Sequence, residues 1–527
     1  MKKINIKNYI LEIVVFICGV STMTLELVGT RLLAPYFGTS ISIWASLIGV
    51  VLGSLSLGYW WGGRHSDENP GQNTLSSALF LAALYLGGVA LFHDLILIFV
   101  QKTFSDIRIG SIFASCILFG IPNFLLGIVL PYSVRLRSTR LDKTGSTAGT
   151  LYALSTIGSI VGTFLTGFFL ISYFGNIFIL FLLCVILSVM SLFSHLQKSA
   201  GLKIGMIFLF SFCLMESDSI AAAIKGPGFI DVNTPYSRVW IFEEIFPPTK
   251  QPVRIMQVDE GYQSAMYLDN DALVWNFHEY FLLAKYFNPQ FKKSLMIGGG
   301  AYSYPKVYLN EFKSAEMDVV EIDPKLTKLA QKYFRLKTNP RLRIFHEDAR
   351  VFLNKTKNKY DIIYEDAYKS YSIPYQLTTR EAVKKMYDLL NDNGAVFVNI
   401  VSAISGPKSI FLQVEFATFK SIFPHVYLFP NYSKDSSARQ NIILVALKSQ
   451  QKPKFFSRDS KFNELLSHRW TGEIKTDMPL LTDNFAPVDK YVMKLIGNYY
   501  PTRISPMRKR MRDVRDFVFR SLGNTGR

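Results

Sequence analysis

Charge and cysteine are both scarce in this chain. Only 19% of its 527 residues are charged and 49% are hydrophobic, which excludes a disordered polyelectrolyte and a collagen-like fibre. The four cysteines (Cys18, Cys116, Cys184, Cys213) show no metal-ligand spacing, so neither a disulfide-stapled mini-domain nor a structural zinc site is expected. All four lie in the first half, and residues 225–527 contain none. Charge is also unevenly placed. Residues 1–224 hold 13 Lys and Arg against 9 Asp and Glu, while residues 225–527 hold 45 against 31. An apolar half therefore precedes a basic globular half, and the length calls for more than one domain.

Apolar stretches long enough for about 30 Å of hydrocarbon occur near 9–30, 41–62, 77–100, 110–133, 149–173 and 175–195. Six spans in a multi-pass helical bundle are expected. A seventh stretch, 204–224, is ambiguous, because its apolar run ends at Met215 before Glu216 and Asp218. Lys203 before it and Ala221-Ala222-Ala223 after it resemble the flanks of an export signal. The N-terminus and the loops on its side carry ten Lys and Arg, against three (Arg31, Lys102, Arg108) opposite. The positive-inside rule then puts the N-terminus in the cytoplasm of an integral plasma (inner) membrane protein. Six spans leave the globular half inside and seven put it outside; the local insertion signal leans to the extracytoplasmic side. Small residues in the fifth span (Gly149, Ser155, Gly158, Gly162, Gly167) point to close helix packing.

Residues 225–235 read as a linker, and short alternating runs from 236 to about 270 as a small β-meander. A helix is expected over 275–287. Strand–turn–helix units follow, with strands at Ser294-Leu295-Met296-Ile297, Met317 to Asp323, Arg343 to His346, Asp361 to Tyr364 and Ala395 to Asn399. This alternation predicts an α/β Rossmann-like, doubly wound parallel sheet whose ligands bind at the strand ends. The domains expected are a bundle over 1–224, linker and small β domain over 225–275, a Rossmann-like domain over 276–495 and a basic amphipathic tail over 496–527. The tail suits an anionic lipid surface better than nucleic acid, for which no motif is present.

The polar residues cluster at those strand ends. Gly298-Gly299-Gly300 lets backbone approach a ligand. Glu321, after the second strand, can accept from both ribose hydroxyls. Asp348, after the third, can accept from an adenine amino group, and Asp366, after the fourth, faces the reacting centre. The competing reading makes these acids helix N-caps. The turn lacks the third glycine of a dinucleotide fingerprint, and Pro305 follows soon after. Adenosine without a pyrophosphate fits better, as in S-adenosylmethionine or its decarboxylated form.

Residues 236–400 resemble the spermidine synthase (polyamine aminopropyltransferase) family. The resemblance is carried by Tyr236-Ser237, Phe277-His278-Glu279, Ile297-Gly298-Gly299-Gly300, Val320-Glu321-Ile322-Asp323-Pro324, Glu347-Asp348-Ala349-Arg350 and Tyr360 to Asp366. The whole chain is similar to membrane-fused members, through Arg31 to Gly38, Gly58 to Arg64, Leu151 to Gly158 and a C-terminal Leu481-Thr482-Asp483-Asn484-Phe485-Ala486-Pro487-Val488. The resemblance implies an aminopropyl transfer from the decarboxylated donor to an amine. In it Glu321 holds the ribose, Asp348 the adenine and Gly298 to Gly300 the tail, with Asp366 and His278 beside the amine. No metal is expected. Tyr302 and Tyr368 are expected to face the sulfonium cation. Soluble aminopropyltransferases carry Asp where this chain has Ala301 and Lys369, and Lys369 would repel an ammonium. A methyltransferase on the same scaffold, and a non-catalytic transporter or sensor, therefore stand as alternatives. The partners expected are a small-molecule acceptor and the lipid membrane, with a homodimer allowed.

Overall fold

The computed structural model describes residues 9–104, 106–138, 144–195, 200–217, 228–259, 261–368, 372–431 and 435–496. The expected tail beyond 496, and Lys369, lie outside them. The chain forms two compact units, one running through Val239 and the other beginning at Trp240. That division falls after β1 (Ile230–Asn233) rather than at 224. The reason is local. Arg31 donates to the backbone carbonyls of Thr234 and Pro235, and Arg238 is held between Asp94 and Asp231, so this segment stays with the helices.

Among the described residues of the first unit, six helices are long and apolar enough to cross a membrane. They are α1 (Ile10–Phe37), α2 (Ile41–Glu68), α3 (Gln72–Thr103), α4 (Ile107–Arg137), α5 (Thr144–Tyr173) and α6 (Asn176–Ser194). A shorter apolar helix, α7 (Ala200–Met215), follows. In lipid the hydrophobic effect does not drive helices together, so close contact must come from small residues. Gly158 and Gly162 of α5 lie against α1: a Cβ on Gly158 would sit 2.2 Å from the Phe16 carbonyl oxygen, and one on Gly162 2.6 Å from that of Val20. Gly58 and Gly62 of α2 make the same kind of contact with Phe124 and Ile128 of α4.

From Trp240 onward, β2 (Arg238–Phe246, whose first two residues belong to the first unit), β3 (Gln251–Val258) and β4 (Gly261–Tyr267) are consecutive neighbours in a small sheet, with β3 and β4 antiparallel. Seven strands build the main sheet: β5 (Lys293–Ile297), β6 (Glu316–Val320), β7 (Leu342–Phe345), β8 (Tyr360–Glu365), β9 (Leu390–Ser402), β10 (His425–Pro430) and β11 (Gln440–Leu447). Their order is β10-β11-β9-β8-β5-β6-β7. The five strands read from sequence are all present and parallel, and β10 and β11 add an antiparallel edge. Strand order reverses between β5 and β8. The crevice above these two strands is the topological switch point, where open α/β sheets bind ligands.

The helix expected over 275–287 is instead mostly a 3₁₀ run, Asn276–Leu283, closed by an α-helical turn, Ala284–Phe287. With three residues per turn, Phe277, Tyr280 and Leu283 align on one buried face. Phe281 packs against the rings of Tyr304 and Tyr364, each about 5 Å away (5.1 Å between centroids).

Gly158→Ala should loosen the α1–α5 contact, at a cost typical of overpacking, about 1–3 kcal/mol. Gly149→Ala, where a Cβ meets nothing within 4 Å, should be silent. Thermal unfolding in detergent checks this; equal midpoints for both variants would contradict the packing account.

Candidate active site

Parallel pairing sets Ile297 of β5 opposite Glu365 of β8, so the glycine turn and Asp366 leave the sheet side by side. The Asp366 N–H donates to the Ile297 carbonyl at 2.9 Å. Gly298 has φ +92, and a Cβ there would meet the Asp366 carbonyl oxygen at 2.6 Å. Only glycine fits both the angle and the approach. Gly300 (φ +53) is equally confined, since its Cβ would lie 2.8 Å from Ser264 Oγ. Ser264, on β4, accepts from the Ala301 N–H at 2.9 Å and so fixes the far end of the turn.

Glu321 follows β6 and is buried. Its Oε2 accepts from the N–H groups of Gly299 (2.9 Å) and Gly300 (3.1 Å), and its Oε1 from Asp323 N–H (3.0 Å). Burial lifts its pKa above the usual carboxylate range, and the three N–H donors offset this only in part. A carboxylate has about four acceptor positions, so capacity for a ligand hydroxyl remains. The same side chain thus shapes the turn and offers an acceptor beside it.

Asp366 is gripped on both oxygens. Oδ2 pairs with His278 Nε2 at 2.9 Å, and Oδ1 accepts from Asn399 Nδ2 at 2.9 Å. Asn399 lies on β9 and accepts in turn from Asn441 on β11. Burial alone would raise the Asp366 pKa, but the hydrogen bond and charge of His278 and the Asn399 amide outweigh it and bring it below the usual value. His278 comes from the 3₁₀ run and packs against Phe277, Phe281 and Tyr304. Asp366 is therefore an oriented anion that suits anchoring a cationic or amine group.

Other expected residues are placed differently. Asp348 caps α8 (Ala349–Lys355) by accepting from Val351 N–H at 3.0 Å, which is the competing N-cap role. Its second oxygen faces only Gln376, at 3.5 Å, and the residue is partly exposed, so an acceptor remains there. Tyr302, at φ +57, has its ring wholly buried and its hydroxyl on Thr327 at 2.7 Å, so the ring does not offer a cation-facing surface. Tyr368 is likewise withdrawn, its hydroxyl donating to Glu415 Oε1 at 3.0 Å. The C-terminal signature serves the scaffold: Asp483 accepts from Arg350 Nη2 (2.6 Å) and Thr379 Oγ1 (2.7 Å).

Asn399, Ser264 and the buried pair Glu365 and Glu415 were not legible as site residues. Asn399 left one signal, a lone amide in the apolar run Val396-Phe397-Val398-Asn399-Ile400. Glu365, on β8, and Glu415, on α9 (Ile410–Lys420), are fully buried. Glu365 is pushed up to about 8 by burial, and Glu415 is raised for the same reason and by the charge of Glu365. An acid held above its unfolded value near 4.5 binds its proton more tightly when folded. Stability is then full below about pH 4.5 and falls as pH rises towards 8, by about 1.4 kcal/mol per pH unit. Glu365→Gln should flatten that fall, with Glu415 leaving a residual slope. Thermal midpoints taken from pH 5 to 8 check this, and parallel curves for the two proteins would contradict it.

Residues 281–439 match the family described as the spermine/spermidine synthase domain. Polyamine aminopropyltransferase of Vibrio vulnificus is 32% identical over 166 residues, 31% of this chain and 53% of the relative, so the match spans about half that relative's length. Polyamine aminopropyltransferase 2 of Aquifex aeolicus is 23% identical over 73% of this chain and 79% of its own length. That span exceeds the globular half, so the likeness continues into the helices. An N-terminal histidine N-methyltransferase of Emericella nidulans is 30% identical over 34% of this chain and 32% of the relative. On these matches the C-terminal part of the chain carries a spermidine synthase domain, with polyamine aminopropyltransferases among its relatives.

Proposed function

We propose that the chain is a membrane-attached transferase that binds decarboxylated S-adenosylmethionine and moves its aminopropyl group to an amine. The observation that carries this is the joint placement of the Gly298–Gly300 turn on Glu321 and of Asp366 at the neighbouring strand end, within a spermidine synthase domain. Six apolar helices support attachment to a membrane.

In this reading the adenosine ribose donates to Glu321 and the adenine amino group to the free side of Asp348. Ile322, exposed and apolar beside Glu321, suits the face of the base. The acceptor nitrogen sits by Asp366 and attacks the propyl carbon bound to sulfur. The N–C bond forms as the C–S bond breaks, and the electron pair returns to the sulfonium, releasing methylthioadenosine. The nitrogen then sheds its proton. With its pKa held down, Asp366 steadies the positive charge on that nitrogen better than it would strip a proton in advance. His278 and Asn399 are positioning residues that aim its two oxygens.

A second reading, methyl transfer from S-adenosylmethionine itself, draws on Ala301 and Lys369, which replace acids that would hold ammonium groups, and on the methyltransferase relative. The two readings share the nucleoside site and differ in the group that leaves.

Charge-assisted hydrogen bonds to Glu321 are worth about 1.5–3 kcal/mol, so Glu321→Ala should weaken methylthioadenosine binding by roughly 10- to 100-fold. Calorimetry that finds parent affinity would remove the nucleoside site. Asp366→Asn should cut turnover far more than donor binding. Unchanged turnover would take Asp366 out of the reaction.

A further inference from the structure

We propose that α7 crosses the membrane as a seventh span, so that the chain leaves the helical unit on the side opposite its N-terminus and the globular half works outside the cytoplasm. The sidedness rests on contacts within the first unit and not on which group is transferred.

The start of α7 is fixed at one end of the bundle. Lys203 is buried, and its Nζ donates to Ser76 Oγ at 2.6 Å. Ser76 lies in the first turns of α3 and bonds Ser191, in the last turn of α6. Further along, Phe210 packs against Gly87 of α3, where a Cβ would come within 2.6 Å of its ring, and against Phe181 of α6 at 6.4 Å between centroids. From Ser76 to Gly87 the contact climbs α3, and from Ser191 to Phe181 it retreats along α6. Helix α7 therefore runs parallel to α3 and antiparallel to α6, away from the end that holds the α6 C-terminus.

By residue 233 the chain is at the other end. Asn233 Oδ1 accepts from Asn176 Nδ2 at 3.0 Å, and Asn176 is the first residue of α6. Asn176 and Ser191 are separated by about 22 Å along the helix at roughly 1.5 Å per residue. Arg31, near the end of α1, donates to Thr234 and Pro235, and Arg238 bonds both oxygens of Asp94, in the last third of α3 (3.0 and 3.3 Å). The C-terminal ends of α1 and α3 and the N-terminal end of α6 all face away from the N-terminus.

An interfacial helix would need a polar face. From Ile204 to Met215 the only hydroxyl is Ser211 and no residue is charged, while Ile204, Phe208, Leu209, Phe212 and Met215 are exposed from the protein, as lipid-facing residues would be. The loop charges make the Ser76–Ser191 end cytoplasmic, so Thr234 and Arg238 lie outside. A sulfonium donor carries a fixed charge that hydrocarbon rejects, so it must reach the site from that side or be carried there.

The test is labelling of the full-length chain in intact cells with a membrane-impermeant maleimide. Residues 225–527 have no cysteine, so Ser314→Cys, on an exposed turn, gives one reporter, and Lys357→Cys a second should the first fail to accumulate. Glu68→Cys, at the end of α2, reports the cytoplasmic side, and the unaltered chain sets the background. The globular cysteine should label at least tenfold above background before permeabilisation and Glu68→Cys only after it. A globular cysteine that labels only after permeabilisation, or a Glu68→Cys that labels before it, would overturn the proposal.

Discussion

The pairing of β5 with β8 is the constraint on which the site depends. Two strands far apart in sequence become neighbours, and the turn after one meets the acid after the other at van der Waals distance. Gly298 is confined by the Asp366 carbonyl, Gly300 by Ser264, and Glu321 ties the turn down from the other flank. A side chain at Gly298 would force the glycine turn away from the Asp366 backbone. In the proposed reading binding and reaction share one backbone junction, so mutations there will not separate cleanly into binding and stability effects.

Asp366 depends on a wider set of elements. Its two partners come from the 3₁₀ run and from β9, and Asn399 is itself held by Asn441 on the antiparallel strand β11. The aromatic packing around His278 keeps its ring from turning away. Glu365 and Glu415 are two fully buried acids, and the Tyr368 hydroxyl donates to Glu415. Burial that raises both acids costs stability as pH rises towards 8.

Strand positions, the glycine turn and the acids at strand ends were legible because they follow local rules: apolar runs, turn residues and polar punctuation. The antiparallel β10–β11 edge was not, since a hairpin partner is chosen by the sheet it joins. Tyr302 and Tyr368 read as cation-facing rings, yet sequence cannot report which way an aromatic points, and burial claims both. Asp348 was legible as an acid at a strand end but not as a cap first. Asn399 and Ser264 act through contacts distant in sequence, and one polar residue in an apolar strand is too weak a signal alone. In the helical half, hydropathy located six spans, while the short α7 needed its neighbours, Ser76 and Gly87, to give it a direction.

Aminopropyl and methyl transfer leave different nucleosides behind, which makes product identity the most direct measurement. Detergent-purified chain, incubated with an amine and each donor in turn, is analysed by mass spectrometry for the released nucleoside. The account predicts methylthioadenosine from the decarboxylated donor, in step with an aminopropylated amine. S-adenosylhomocysteine from the intact donor, with no methylthioadenosine from the other, would contradict it.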